Sequence, residues 1–386
     1  MVPITLLSSF LLNFAGFAVF SFFTVYLSNE LHFSAWECGS VLSILTLSSR
    51  ALPILTGAMG DRFGLKRMMS IGLILRGIGF TMLAFFNTFT PVSIAALLIG
   101  TGGACYEPSA LALFANSSEG STNATRKTFI QLNLALNAGA ITGPLLGGIL
   151  FTDAKLLFLI SASLFFCLFL LQRKLLPALK PNIQSREQTF SSGLKSILNN
   201  KPYLLFCLAM VFFWFMFTQL TVAFPLHMFH LTGKPDLVFW VVTINASVGL
   251  LFMFASQKWL AKKDIKDALR SGFHIMTIAM TLIGLISSPS WLIFCLILFT
   301  IGETLVLPTS DAAISEFSKG RHYASYYGFF ELSFAVGATL GNYVGTAFFS
   351  NDNNSIIQWL IFGLAGLIGS SLLKLETIRS KLESYQ

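Results

Sequence analysis

Apolar residues run through this chain in stretches of about twenty, and the polar residues gather in the intervals between them. Crossing the hydrocarbon layer takes about 20 apolar residues in a helix. Twelve such stretches can be marked: 4–27, 37–59, 67–87, 91–115, 128–151, 154–172, 202–224, 236–257, 270–288, 290–315, 322–350 and 354–373. They predict twelve transmembrane helices, numbered below as segments 1 to 12. A closed β-barrel is excluded, because its strands alternate between lipid and lumen with period two and these runs do not. Segment 1 is too long and too aromatic for a cleaved signal peptide, and no small-residue cleavage site follows it.

Composition agrees. Only 11% of the residues are charged, against roughly 25% in soluble domains, and 54% are hydrophobic. A water-soluble fold could not hide that much apolar surface, so the expectation is an all-α membrane protein with lipid as its solvent. The net charge of +8 could suggest a nucleic-acid partner, but its distribution says otherwise. Of the 25 Lys and Arg residues, 21 fall in alternate loops and the C-terminal tail. Lys155 and Lys234 lie on the other side, and Arg50 and Arg76 fall inside segments. That asymmetry predicts cytoplasmic N- and C-termini. Cys38, Cys105, Cys167, Cys207 and Cys295 contain no CxxC pair, so neither disulfides nor a metal site is expected.

The longest polar stretch, 173–201, divides the segments six and six. The predicted domains are therefore an N-terminal six-helix bundle (1–172), a cytoplasmic linker (173–201) and a C-terminal bundle with a short tail (202–386). An internal repeat supports the division. Gly102 and Pro108 in segment 4 match Gly302 and Pro308 in segment 10, an offset of 200. Gly139, Gly143 and Gly147 in segment 5 match Gly337, Gly341 and Gly345 in segment 11, an offset of 198. Glycines four apart share a helix face and allow close helix approach. The expectation is that these faces meet between the halves and let them rock about a central site.

The six-plus-six order, the long central loop, "GAMGDRFGLKR" between segments 2 and 3 and "GAITGPLLGG" in segment 5 together resemble the major facilitator superfamily over the whole chain. The second motif (Gly139, Gly143, Pro144, Gly147, Gly148) resembles the mark of its drug:proton antiporter branch, and the chain looks most like the bacterial multidrug-efflux subgroup. That resemblance implies a proton-coupled exporter of small molecules in a bacterial inner membrane, working as a monomer. It also implies that Gly57, Asp61, Arg62, Gly64, Lys66 and Arg67 form a cytoplasmic gate that latches the halves near the start of segment 11. A carboxylate beside a helix N-terminus gains from the dipole there. The chain departs from the family pattern in places. Leu65 stands where a basic residue is usual, Ile130 where the segment 5 motif begins with glycine, and Ala96 where many drug antiporters carry arginine. Segment 1 has Asn13 in place of an acid.

Ionisable groups inside the bilayer cost about 2.5–3.5 kcal/mol at a helix centre on insertion scales, so each needs a partner or a function. The candidates for proton coupling or substrate binding are Glu303, Glu107, Arg50, Arg76 and Glu331. Glu107, Arg76 and Arg50 suggest a network in the first half, either a proton relay or a salt bridge that fixes helices. Glu303 has no arginine of its own half near mid-membrane and is the leading proton or cation site. Asp311 lies nearer the cytoplasmic end. Cavity contacts are expected from Asn13 and from the aromatic run of segment 7, with Trp214, Met216 and Gln219. His227 and His230 are expected at the interface.

No GxxxxGK[ST] loop is present, which excludes ATP-driven pumping by this chain, and no hydrolytic constellation marks an enzyme. No cofactor is expected. The alternative to drug export is transport of one metabolite such as a sugar, carboxylate or siderophore, with Arg50 receiving an anion.

Overall fold

A computed structural model describes residues 2–117, 122–175, 196–260, 263–318, 323–349 and 356–383. Within these, some helical side chains, among them those of Asp61 and Arg62, lie outside the described set. All regular structure in the described residues is helical. The helices of ten residues or more are α1 (Val2–Val25), α2 (Ala35–Arg50), α3 (Pro53–Phe63), α4 (Leu65–Phe85), α5 (Phe89–Ser117), α6 (Thr122–Leu150) and α7 (Ala154–Leu175). They continue with α8 (Lys201–Thr218), α9 (Ala223–Thr232), α10 (Phe239–Leu260), α11 (Ile265–Ile283), α12 (Pro289–Ser318), α13 (Tyr323–Phe349) and α14 (Ile356–Glu383).

All twelve predicted segments are present, two of them broken. Segment 2 is divided into α2 and α3 because Pro53 has no backbone N–H to continue a helix, and instead starts the next one at its first position. Segment 7 is divided into α8 and α9 by turns at 219–222. Segment 1 ends in a π-helical turn, Tyr26–Glu30. Among the described residues, eight helices are long and apolar enough to cross a membrane on composition alone. Segments 2, 5, 9 and 11 fall short of that measure. The first is cut by its break, and the others carry glycines at close helix contacts.

The chain forms two compact units, Met1–Gln184 with Gly233–Thr243, and Ser185–Thr232 with Ile244–Gln386. The division therefore runs through the first turns of α10 rather than wholly within the 173–201 loop. In the first unit α4 packs on α5, α1 on α6, and α7 on both α4 and α1. In the second, α11 packs on α12, α8 on α13, and α14 on both α11 and α8. In these contacts the two units follow one plan, while the packing of α2 on α5 in the first has no equal between α10 and α12 in the second.

The repeat is visible at atomic distance. A Cβ built on Gly72 would stand 2.5 Å from the Gly102 carbonyl oxygen, and one on Gly272 would stand 2.7 Å from that of Gly302. The two crossings lie 200 residues apart, and at each the helix backbones touch.

The glycine stripes correct an expectation. Gly139, Gly143 and Gly147 lie against the carbonyl oxygens of Phe10, Phe14 and Ala18 on α1. Gly337 and Gly341 lie against those of Val211 and Phe215 on α8, and Gly345 meets the Gln219 side chain. Each stripe is thus filled by the first segment of its own unit, since a small-residue face is used up where two backbones come closest. Only Gly148 of the motif turns elsewhere, towards the Phe239 ring at the start of α10. Pro144 sits inside α6.

Candidate functional site

Two polar constellations lie inside the helical bundles, one per unit, and they are built differently. In the first unit, Gly102 and Gly103 on α5 leave room for the long side chain of Arg76 on α4. A Cβ on Gly102 would stand 2.8 Å from Arg76 Cγ, and one on Gly103 would collide with the guanidinium. Through this groove Arg76 Nη2 donates to Glu107 Oε1 at 2.9 Å. The guanidinium also lies 5.9 Å from the centroid of the Phe165 ring. Beside the pair, Gln172 Nε2 donates to the Tyr106 hydroxyl at 2.8 Å. Glu107 remains 55% exposed, so the ion pair is open on the acid's side. Arg50, the last residue of α2, stands just before the break and has a partner of its own.

The ion pair makes a test. Arg76→Met alone is expected to lower the melting temperature and folded yield, because it leaves the Glu107 carboxylate without its cation. Adding Glu107→Gln should restore most of the loss in thermal unfolding of the purified protein. A double variant no better than the single one would mean that Arg76 stabilises the unit through another contact.

In the second unit, Glu303 on α12 is 9% exposed. Asn245 on α10 donates from Nδ2 to Glu303 Oε2 at 2.7 Å and to Thr300 Oγ1 at 3.0 Å. Thr300 in turn donates to the Leu296 carbonyl at 2.8 Å. Among the described residues no lysine, arginine or histidine pairs with Glu303. A neutral amide alone holds the carboxyl.

The repeat shows what stands at the matching positions of the first unit. An offset of 200 sets Glu303 against Gly103, Thr300 against Gly100, Asn245 against Leu45 and Met276 against Arg76. In the first unit Gly100 lets Leu45 and Ser48 of α2 close on α5. In the second, polar side chains occupy the corresponding positions. Sequence reasoning found Glu303 but missed Asn245 and Thr300. The offset was the available signal, since it marks an asparagine where the first half has leucine.

Other candidates stand elsewhere. Met216 and Gln219 are wholly buried within the second unit and Trp214 is 8% exposed. Met216 packs on α14 at Gly366. Trp214 stacks edge-on with Phe334 at 4.2 Å and also meets Phe213, Phe217 and Phe330. Gln219 sits at the break of segment 7, where its Nε2 donates to the carbonyls of Phe215 (2.9 Å) and Gly341 (3.1 Å). A broken helix leaves backbone groups that lipid cannot satisfy, and a buried amide serves them. Asn13 donates to the Ser9 carbonyl at 3.2 Å, on the seam with Gly139. Glu331 is half-buried and has a partner of its own, and Asp311 is exposed. His227 is buried edge-on against Trp359 at 5.2 Å.

In the gate motif, the side chains of Asp61 and Arg62, together with Gly57, lie outside the described residues. Gly64 joins α3 to α4 at φ +98°, a conformation that other residues rarely adopt. Lys66 Nζ donates to the Arg173 carbonyl at 3.0 Å, fastening the turn to the end of α7, while Arg67 is exposed.

Two helical units of one plan, with carboxyls inside the apolar bundles, define a polytopic membrane carrier. The chain matches the family model of the Major Facilitator Superfamily over residues 5–341 and again over 220–383, and it belongs to that family. It is an integral membrane transporter of small molecules. Among curated proteins it is similar to the multidrug resistance protein MdtH of Klebsiella pneumoniae (strain 342), 27% identical over 369 residues, spanning 94% of this chain and 90% of the relative. MdtH of Yersinia pestis (strain Pestoides F) is 26% identical over 374 residues, spanning 95% and 92%. Of solved structures, the nucleoside transporter NupG superposes with a TM-score of 0.77 at 16% identity, covering 97% of this chain and 98% of that one. The peptide transporter PepTSo gives 0.80 at 16%, covering 99% and 98%. At such identities the structural likeness speaks for the fold.

Proposed function

We propose that this transporter exports amphipathic, preferably cationic small molecules in exchange for protons across a bacterial inner membrane, as a monomer with both termini in the cytoplasm. The observation that carries the reading is Glu303, a buried carboxyl held by Asn245 with no cation among the described residues to neutralise it. A lone carboxylate in an apolar surround needs one positive charge. A proton or a cationic substrate can supply it, but not both at once, and that exclusivity is the basis of exchange. The names of the MdtH relatives and the segment 5 motif support export of drugs. The Lys and Arg asymmetry supports the orientation. The turn holding Asp61 and Arg62 serves in this reading as the cytoplasmic latch between the halves.

The test uses purified protein in liposomes with a trapped pH dye and an imposed proton gradient. Lipophilic cations should dissipate the gradient in proportion to the protein incorporated, and anionic metabolites should not. Silence with the cations and a response to an anion would overturn the export reading in favour of a dedicated metabolite carrier.

A further inference from the structure

We infer that the seam between α11 and α14 binds the phosphate of an anionic phospholipid. The hydrophobic pattern begins segment 9 at residue 270 and so leaves Arg270 at the edge of a loop. The helix in fact starts five residues earlier. Asp264 caps it, its carboxylate accepting from the backbone N–H groups of Lys266 at 2.9 Å and Asp267 at 3.4 Å. Arg270 therefore stands about 7.5 Å along the helix axis, inside the apolar packing of α11.

Its surroundings are unusual for a cation. Arg270 is half-buried, and its Nε is fully buried with no hydrogen-bond partner. Among the described residues no carboxylate pairs with it, and Asp267 on the first turn does not reach it. One turn deeper, the exposed His274 places Nε2 3.1 Å from Ser370 Oγ on α14. The facing residues fix the direction of packing: Gly363 meets Thr281, Gly366 meets Thr277, Gly369 meets Phe273, and Ser370 meets His274. The helices run antiparallel, so Lys374, four residues beyond Ser370, stands level with Arg270. Lys374 is exposed. Deeper on the same seam Ile278 and Leu367 point outward, 55% and 48% exposed.

The arrangement is a row of basic groups at headgroup depth with an apolar bed beneath it. A cation at that depth needs a counter-charge. The described residues offer none here, whereas basic pockets between transmembrane helices near the membrane surface take lipid phosphates. The first unit lacks the feature. An offset of 200 sets Arg270 against Ser70, His274 against Ile74 and Ser370 against Leu170, and only Lys374 finds an equal in Lys174. The site is thus an addition to the repeated scaffold, and it accounts for two ionisable groups that transport at Glu303 does not use.

Full-length protein in phosphatidylcholine nanodiscs, titrated with labelled phosphatidylglycerol, tests it. Arg270→Gln and Lys374→Gln should each weaken phosphatidylglycerol binding about fivefold, the equivalent of about 1 kcal/mol per surface charge, and the pair about 25-fold. Arg270→Lys should retain most of the binding. Lys155→Gln, beside Phe85 in the first unit, should bind as the parent does. Lys374 is exposed, so its variant keeps the test valid even if Arg270→Gln folds poorly. Unchanged binding in Lys374→Gln and in any folded Arg270 variant would overturn the site. Displacement of the lipid by millimolar inorganic phosphate would overturn it as well, marking a site for a free anion.

Discussion

Glu303→Gln is expected to leave the transporter folded and substrate-competent while proton flux falls to the level of empty liposomes. The substitution keeps shape and volume, and the Asn245 amide, 2.7 Å from the carboxyl, can donate to the new amide oxygen. What it removes is the one group at that site that can gain and lose a proton. Substrate counterflow, which needs no net proton movement, should persist for neutral amphiphiles and weaken for cations. Glu107→Gln is the comparison, since its carboxyl already has the Arg76 guanidinium at 2.9 Å. If Glu303→Gln still couples and Glu107→Gln does not, proton exchange belongs to the Arg76 pair and the role assigned to Glu303 is wrong.

The second large effect concerns the scaffold. Gly72→Ala and Gly272→Ala should each lower stability by about 1–3 kcal/mol, the usual cost of overpacking a close contact. The added Cβ would stand 2.5 Å and 2.7 Å from the opposing carbonyl oxygens. Those oxygens belong to helix backbone, which cannot rotate aside as a side chain can. The crossings lie in separate units, so the losses should add in the double variant. Thermal unfolding in detergent reads all three. A neutral Gly272→Ala would mean that the crossing in the second unit is looser than that in the first.

Much of this architecture was legible beforehand, for reasons tied to particular residues. Apolar run length located the twelve segments because lipid forces every backbone group into a helix. The matched glycines located the repeat because a missing side chain at a backbone crossing has no substitute. What stayed hidden was direction. Gly139, Gly143 and Gly147 announced a close approach but not which helix approaches, and that helix is α1 of the same unit. The chemistry of Gln219 and Met216 did not show that one donates to carbonyls at a helix break and the other is buried in its unit. Arg76 and Glu107 were recognisable as partners because both are charged and similarly deep. Asn245 escaped because an uncharged residue in an apolar run gives no alarm of its own.

The mismatch between Gly103 and Glu303 bears on how such a protein can be built from a duplicated ancestor. A chain made of two copies of the first unit would inherit every close crossing and a second self-neutralised pair, but no acid left over for traffic with the medium. One made of two copies of the second would carry two such acids and no counterpart of the Arg76–Glu107 pair. The halves therefore share a shape without being interchangeable, and their division of labour rests on a few positions where one copy has glycine and leucine and the other has acid, amide and hydroxyl.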